Sequence, residues 1–492
     1  MRRRVVFAVI FLAAFILLFR FVLLAGEFDT VVTADRFETA RGDYTTLRAL
    51  LYRMPKGGDL HTHLAGAVYA ERFIAWAAQE DLCVDLENRV LAKVQCARAG
   101  SRPVSEAMSG QKFYDRLIDA FSMRDFLLSS AVPSRHDGFF ATFDRFGAVS
   151  GSHFVDMTAD QLKGYEAENV QYVEFMVSAW CPNDRERFGK AVGEAIDDAA
   201  KLAALEASGL ADCVTAKRND LTAAIDKVRT SLGCDVPVPQ PGCSVTFRYI
   251  AQIYRDNPPD DVFVQTATAV ALIRAEPRLV ALNLAGPEDY LVARRNYTRQ
   301  MEIIRFLAKD VPVALHAGEL WLGLVPPPTS AFIFVKRSKS PAPAASATAS
   351  RLPSNATRRG CSPRCARGRL LSRSASPAMT SSLASAARST PCPPISRAGV
   401  PVVLSTDDAG VSRIDLTNEY FRAARDYGLS YRELKAIARN ALRYSFLDAE
   451  QKRDQLERFE QRSAEFERSV ASRQSPFRNA VAVIKAAVTF PR

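Results

Sequence analysis

The chain of 492 residues has only five histidines, and none follows His316. Acidic residues are missing altogether from residues 331–396, as are His, Trp and Tyr, while 11 Lys or Arg fall there. Setting those 11 aside leaves 54 basic against 54 acidic residues, so the formal charge of +11 is local. No basic excess is spread over the rest of the chain, which argues against nucleic acid as a partner. Scarcity makes the histidines informative. Three of the five sit in two short phrases, Gly58-Asp59-Leu60-His61-Thr62-His63 and Val313-Ala314-Leu315-His316-Ala317-Gly318-Glu319.

The N-terminus reads as a targeting segment. Arg2, Arg3 and Arg4 precede an apolar run from Val5 to Phe19, then Arg20 and a second run from Phe21 to Ala25. A basic n-region followed by an apolar h-region is a secretory signature. A small-x-small cleavage site is lacking, since Leu23 stands where a small residue is wanted. Residues 1–26 are therefore expected to be a signal peptide or a membrane anchor acting through residues 5–25. The rest is expected to be exported, to a periplasmic or extracellular space. Cys83 with Cys96, and Cys213 with Cys234 or Cys243, fit local bridges in an oxidising compartment; free buried thiols fit the spacing equally well.

Beyond the N-terminus, strand-like apolar runs alternate with helical periodicity, the pattern of repeated βα units. Expected strands are 58–63, 170–178, 244–250, 279–285, 311–316 and 399–406. Expected helices include 69–80, 188–207, 220–232, 294–308, 415–427, 431–445 and a charged one over 449–472, with one face to solvent. Residues 81–150 look like an insertion with helices of its own, including 111–120. The stretch 331–396 shows neither period and has a disordered or linker composition. It occupies the place of two strand–helix units. An out-of-frame GC-rich gene gives such a composition, with the frame restored near Arg397; a natural disordered insertion and a basic arm are the alternatives. The expected architecture is α/β, a (β/α)8 TIM-type barrel with strands 6 and 7 replaced by this aberrant low-complexity segment. Residues 27–330 would form its N-terminal part, and 397–492 its C-terminal part and closing helices.

Strands ending in metal-capable side chains are how such a barrel builds its mouth. His61 and His63, two apart on a strand, share a face. His316 closes a second strand, and Asp407 of Val403-Leu404-Ser405-Thr406-Asp407-Asp408 closes a third. Three nitrogens and one oxygen suit zinc with an open water position. Glu319, on the turn beyond His316, is a candidate general acid. Asp408 is placed to accept a hydrogen bond from water or substrate; the bland alternative for Asp407-Asp408 is an acidic helix N-cap. His136 and His153 lack such a context. Cys361, Cys365 and Cys392 match no standard zinc spacing.

These phrases, with Met54-Pro55-Lys56-Gly57 before the first and Leu64-Ala65-Gly66 after it, resemble the adenosine deaminase family, and more closely its secreted, growth-factor-like and bacterial members. Leu284-Ala285-Gly286 with Glu288 is similar to another phrase of that family. The resemblance implies one Zn2+ on His61, His63, His316 and Asp407, with Glu319 donating a proton to purine N1. It further implies that Gly286 approaches the base, that His63 borders the substrate, and that Asp408 holds the base and orients water. The implied partner is a small purine nucleoside, adenosine or deoxyadenosine, deaminated to inosine and ammonia. The Pro-Cys-x-x-Cys signature of the cysteine-ligated deaminases is missing. Two departures stand out: Ala65 replaces an acid expected to meet the ribose, and the family's Gly-His-Gly, which steers the attacking hydroxide, has no counterpart. The alternatives are a related metal-dependent amidohydrolase acting on another amine, and a non-catalytic zinc-binding protein.

Overall fold

A computed structural model describes residues 27–92, 96, 100–126, 134–181, 184–316, 320, 325 and 401–473. Its centre is a parallel sheet of five strands: β1 (Gly57–His63), β5 (Val170–Ser178), β6 (Thr246–Tyr254), β7 (Leu279–Ala285) and β8 (Val313–Leu315), in that spatial order. The sheet and its surrounding helices form a (β/α)8-type α/β fold. On the free side of β1, Asp407 forms a parallel bridge to Thr62. Segment 401–408 therefore flanks β1 opposite β5.

The strands are largely buried on both faces because helices cover one side and the barrel interior the other. In β5, every residue from Val170 to Val177 is buried. Alternation along the strands sorts the interior into levels. Met176, Ile250 and Ala281 form an apolar cluster of their own, in register across β5, β6 and β7. Two residues further along the same faces come Gln252 and Asn283, partners across β6 and β7. The interior thus turns from apolar to polar on approaching the strand ends.

Between β1 and β5 lies the insertion, with a small antiparallel sheet of β2 (Cys83–Asp85), β3 (Leu91–Ala92) and β4 (Ser101–Pro103) and helices Gln111–Phe121 and Arg135–Ser150. After the last bridge come helices Leu416–Asp426, Tyr431–Arg443 and Ala449–Ser472. Ser430 and Glu433 form a capping box at the second of these. The third buries Phe459, Ser463, Phe466 and Val470 along one side, the i, i+3, i+4 stripe of an amphipathic helix.

Several expected boundaries move. The strand expected over 244–250 runs from Thr246 to Tyr254. The helix expected over 188–207 is two, Arg185–Gly193 and Asp198–Ala207, because the Asp197 side chain accepts from the Ala200 N–H and starts the second afresh. The helix expected over 220–232 is the end of a longer one, Leu210–Ser231. The strand expected over 399–406 forms no ladder among the described residues: the Thr406 N–H donates to the Asp59 carboxylate at 3.1 Å, not to a strand carbonyl. The pairing expected for Cys213 is also corrected. Three disulfides join Cys83 to Cys96, Cys181 to Cys213 and Cys234 to Cys243, with Cα separations of 5.5, 6.3 and 5.5 Å. Cys181, on the loop leaving β5, sits beside Cys213, whereas Cys234 and Cys243 close one hairpin-like loop. Residues 1–26 and 331–396 lie outside the described residues. Among those described, no helix is long and apolar enough to cross a membrane.

Candidate metal centre

The site is assembled across a seam between the beginning and the end of the chain. His63 N–H donates to the Asp407 carbonyl and Asp407 N–H to the His61 carbonyl, both at 2.9 Å. One turn deeper, Asp59 accepts from the Thr406 hydroxyl at 2.7 Å and from the Tyr165 hydroxyl and the His61 N–H at 3.1 Å. Burial pushes the Asp59 carboxyl up to about 6, against the lowering effect of these donors. Asp407 itself has φ of +60°, a left-handed conformation that Asp tolerates better than most residues.

These elements bring His61, His63, His316 and Asp407 together. One ligating atom from each lies within 4.8 Å of the others. Asp407 Oδ1 is 3.4 Å from Nε2 of both His61 and His63, and Nε2 of His63 is 3.0 Å from Nε2 of His316. The tautomers follow from the outer partners. His63 Nδ1 is 2.8 Å from Gln252 Oε1, and His316 Nδ1 is 2.8 Å from Asn283 Oδ1. Amide oxygens only accept, so each Nδ1 carries a proton and each Nε2 is the nitrogen that can present a lone pair to a metal. Without a proton or a metal between them, two Nε2 lone pairs facing each other beside a carboxylate would repel one another. A cation between them removes the repulsion, and histidine held from behind by an amide or carboxylate oxygen is how proteins orient metal ligands. The donor set fits a divalent metal.

The electrostatics agree. Burial would lower the His63 pKa, but Asp408 and Asp407 overcome it and raise it to about 9. Burial and the neighbouring His61 and His63 hold His316 well below the ordinary value. Against the cost of its own burial, the two imidazoles of β1 keep the Asp407 carboxyl far below the carboxylate range. The pocket attracts positive charge, and a metal ion answers that field without protonating the ligands.

Asp408 is buried next to the cluster. A Cβ on Gly66 would collide with its carboxylate, so Gly66 leaves the space that Asp408 fills. Gly286, at the end of β7, has φ of +94°, and a side chain there would press on Asp256 and Arg255. Glu319 lies outside the described residues, as do Cys361, Cys365 and Cys392. His136 sits between Asp137 and Asp289, at 3.1 Å from each, and His153 stacks on Trp76; neither joins the cluster. Cys181, Asp184 and Cys213 also lie close together, but the disulfide consumes both sulfur donors. Sequence reasoning missed Gln252 and Asn283. Their signal was available: Asn283 is the one polar residue of β7, and Gln252 follows the run Tyr249-Ile250-Ala251 of β6, each two positions short of its strand's end.

Fold and centre together define a barrel with a three-histidine, one-aspartate metal-binding mouth. Residues 374–462 match the family model described as adenosine deaminase. An aminodeoxyfutalosine deaminase of Streptomyces coelicolor is 51% identical over 53 residues, 11% of this chain and 14% of that relative's length. The structure of an ADAL–IMP complex superposes with a TM-score of 0.50 at 18% identity, covering 85% of this chain and 99% of that one. The N6-methyl-AMP deaminase of Arabidopsis thaliana gives a TM-score of 0.47 at 17% identity, covering 85% and 99%. The chain is thus similar to the adenosine deaminase family over residues 374–462, and it spans only a small part of the length of the curated relative it matches.

Proposed function

We propose that this protein descends from, and is built as, a zinc-dependent deaminase of 6-aminopurine nucleosides, converting adenosine or deoxyadenosine and water to inosine and ammonia. The observation that carries this reading is the convergence of His63 and His316 Nε2 at 3.0 Å, each with its Nδ1 proton bound to an amide oxygen. His61, His63, His316 and Asp407 would hold the ion. A divalent cation there makes water acidic enough to act as a nucleophile near neutral pH. The protein's part is to place and protonate. Asp408 would orient water and the base, the backbone at Gly286 would approach the purine, and Glu319 would donate a proton to N1 as water adds at C6. The C6–N bond then breaks as the amino group gains the proton of the added hydroxyl and leaves as ammonia, and the oxygen stays on C6 as the carbonyl of inosine.

Two alternatives each have support. The relatives named above include deaminases of aminodeoxyfutalosine and N6-methyl-AMP, which favours another 6-amino substrate. The lack of any histidine after His316 favours a zinc-binding protein without catalysis. Loading the chain with Zn2+ and following ultraviolet absorbance with adenosine, AMP, N6-methyl-AMP and aminodeoxyfutalosine separates them. Turnover of adenosine supports the leading reading, and turnover of another amine alone replaces it. Bound zinc with no turnover of any leaves the non-catalytic reading.

Export is part of the proposal: the basic-apolar N-terminus and the three disulfides both suit an oxidising space outside the cytosol. A shifted reading frame after Leu324 is proposed for the low-complexity stretch. The family match reaches back to residue 374, which argues for a shorter altered stretch than 331–396. Retranslation of the gene between Leu324 and Arg397 decides it: the idea fails if neither alternative frame yields strand–helix units.

A further inference from the structure

Arg255 is a buried cation that the proposed chemistry does not use. It follows β6 directly and is 3% exposed. Its Nη2 donates to the carbonyl of His316 at 2.6 Å and to that of Leu284 at 2.9 Å. Its Nη1 lies 3.6 Å from Glu288, in the turn after Gly286. Its own backbone is held as well: the N–H donates to the Ala285 carbonyl at 3.0 Å, and Gln300 Nε2 donates to its carbonyl at 2.7 Å. One guanidinium therefore spans the ends of three neighbouring strands, β6, β7 and β8.

Burying a guanidinium is costly unless its hydrogen bonds are all directed well, and an apolar side chain would fill the same space without that cost. What an apolar residue lacks is direction. β8 is only three residues long, and His316 stands one step beyond it. The His316 N–H bond to the Leu284 carbonyl is long, at 3.3 Å. The 2.6 Å bond from Arg255 is the shorter hold on this backbone. It fixes the residue from the carbonyl side, while Asn283 fixes its ring at Nδ1. A small swing of that backbone would carry Nε2 away from His63 and Asp407.

We propose that Arg255 is a positioning residue: by clamping the His316 and Leu284 carbonyls together, it sets where His316 presents Nε2 to the metal. The metal half of this statement rests on the proposed function; the backbone half does not. Lysine is shorter and has a single nitrogen, so it could not hold the two carbonyls from the place of Nη2 and face Glu288 from the place of Nη1 at once.

The test uses the full chain and the variants R255M and R255K. Zinc affinity is read by competition with a chromophoric chelator, ligand geometry by the visible absorption of the Co2+ form, and backbone hold by amide hydrogen exchange over 313–316 without metal. R255M is expected to bind zinc roughly 10–100-fold more weakly, as loss of ligand support does elsewhere, with a changed cobalt spectrum and faster exchange at 313–316. R255K is expected to fall between. Wild-type affinity and an unchanged cobalt spectrum in R255M overturn the proposal. Should the wild-type chain bind neither metal, the proposed function fails. Exchange then decides Arg255 by itself: faster exchange at 313–316 supports the clamp, and unchanged exchange refutes it. Should R255M not fold, R255K decides, and wild-type behaviour in all three readouts refutes the clamp.

Discussion

Thr406 donates both its backbone N–H and its hydroxyl to one oxygen of Asp59, at 3.1 and 2.7 Å, across 347 residues of sequence. This contact joins β1, which carries two of the metal-binding histidines, to the segment that carries Asp407. The hydroxyl bond is expected to matter twice, for stability and for the metal. T406V keeps the shape and the backbone bond but removes the hydroxyl donor to a buried carboxylate. It should lower stability by about 1–3 kcal/mol and weaken metal binding. Denaturant unfolding and chelator competition measure the two; an unchanged metal affinity would show that the backbone bonds at Asp407 hold the seam unaided.

Gln252 and Asn283 should act as supports of the metal rather than as ligands. Q252L and N283L each free one imidazole to rotate and to change tautomer. Each is expected to cost roughly 10–100-fold in metal affinity, whereas H316A should abolish tight binding. Isothermal titration with Zn2+ reports all three. Equal losses in N283L and H316A would make Asn283 as necessary as a ligand.

Gly66 is expected to tolerate no side chain while Asp408 keeps its place. G66A forces the Asp408 carboxylate aside, since the new methyl would occupy its position. Overpacking of this kind costs about 1–3 kcal/mol, and any deaminase activity should fall further than stability does. Thermal melting with steady-state kinetics on the same preparation tests this; a fully active G66A would detach Asp408 from the chemistry.

A pH dependence follows from Glu276, far from the metal. Burial would raise its pKa, but Arg278 and Thr222 prevail and lower it to about 2. Arg278 donates to it from its backbone N–H at 3.0 Å and its Nε at 2.9 Å. A carboxyl whose folded pKa is depressed stabilises the fold fully above its ordinary value of 4.5 and loses that contribution as pH falls toward 2. E276Q should be less stable at neutral pH by roughly 1–2 kcal/mol, after allowance for solvent around the Arg278 side. Its stability should change less than the wild type's between pH 4.5 and 2. Urea melts across that window give the answer, and parallel curves for the two proteins would rule it out.

Much of the centre could be read from the chain because strand ends carry their own marks. His61 and His63 alternate correctly on a strand, and His316 and Asp407 each close an apolar run. What could not be read is how these ends face one another. Gln252 and Asn283 are visible as polar residues in apolar strands, but nothing local says that their oxygens meet His63 and His316. Arg255 is plainer still: in sequence it is one more arginine after a strand, and only burial among three strand ends gives it a task. The partner of Cys213 was misplaced for the same reason. Separation along the chain favoured Cys234 or Cys243, while the path of the chain around β5 brought Cys181 alongside.

The sequence by itself determined the alternation of strands and helices, the ligand types and the family resemblance, because periodicity and short phrases are local properties. Tertiary structure decided the tautomers, the seam from Asp59 to Thr406 and the clamp at Arg255. Those depend on residues from 29 to 347 positions apart meeting within hydrogen-bond distance, where only the packed barrel fixes which donor faces which acceptor.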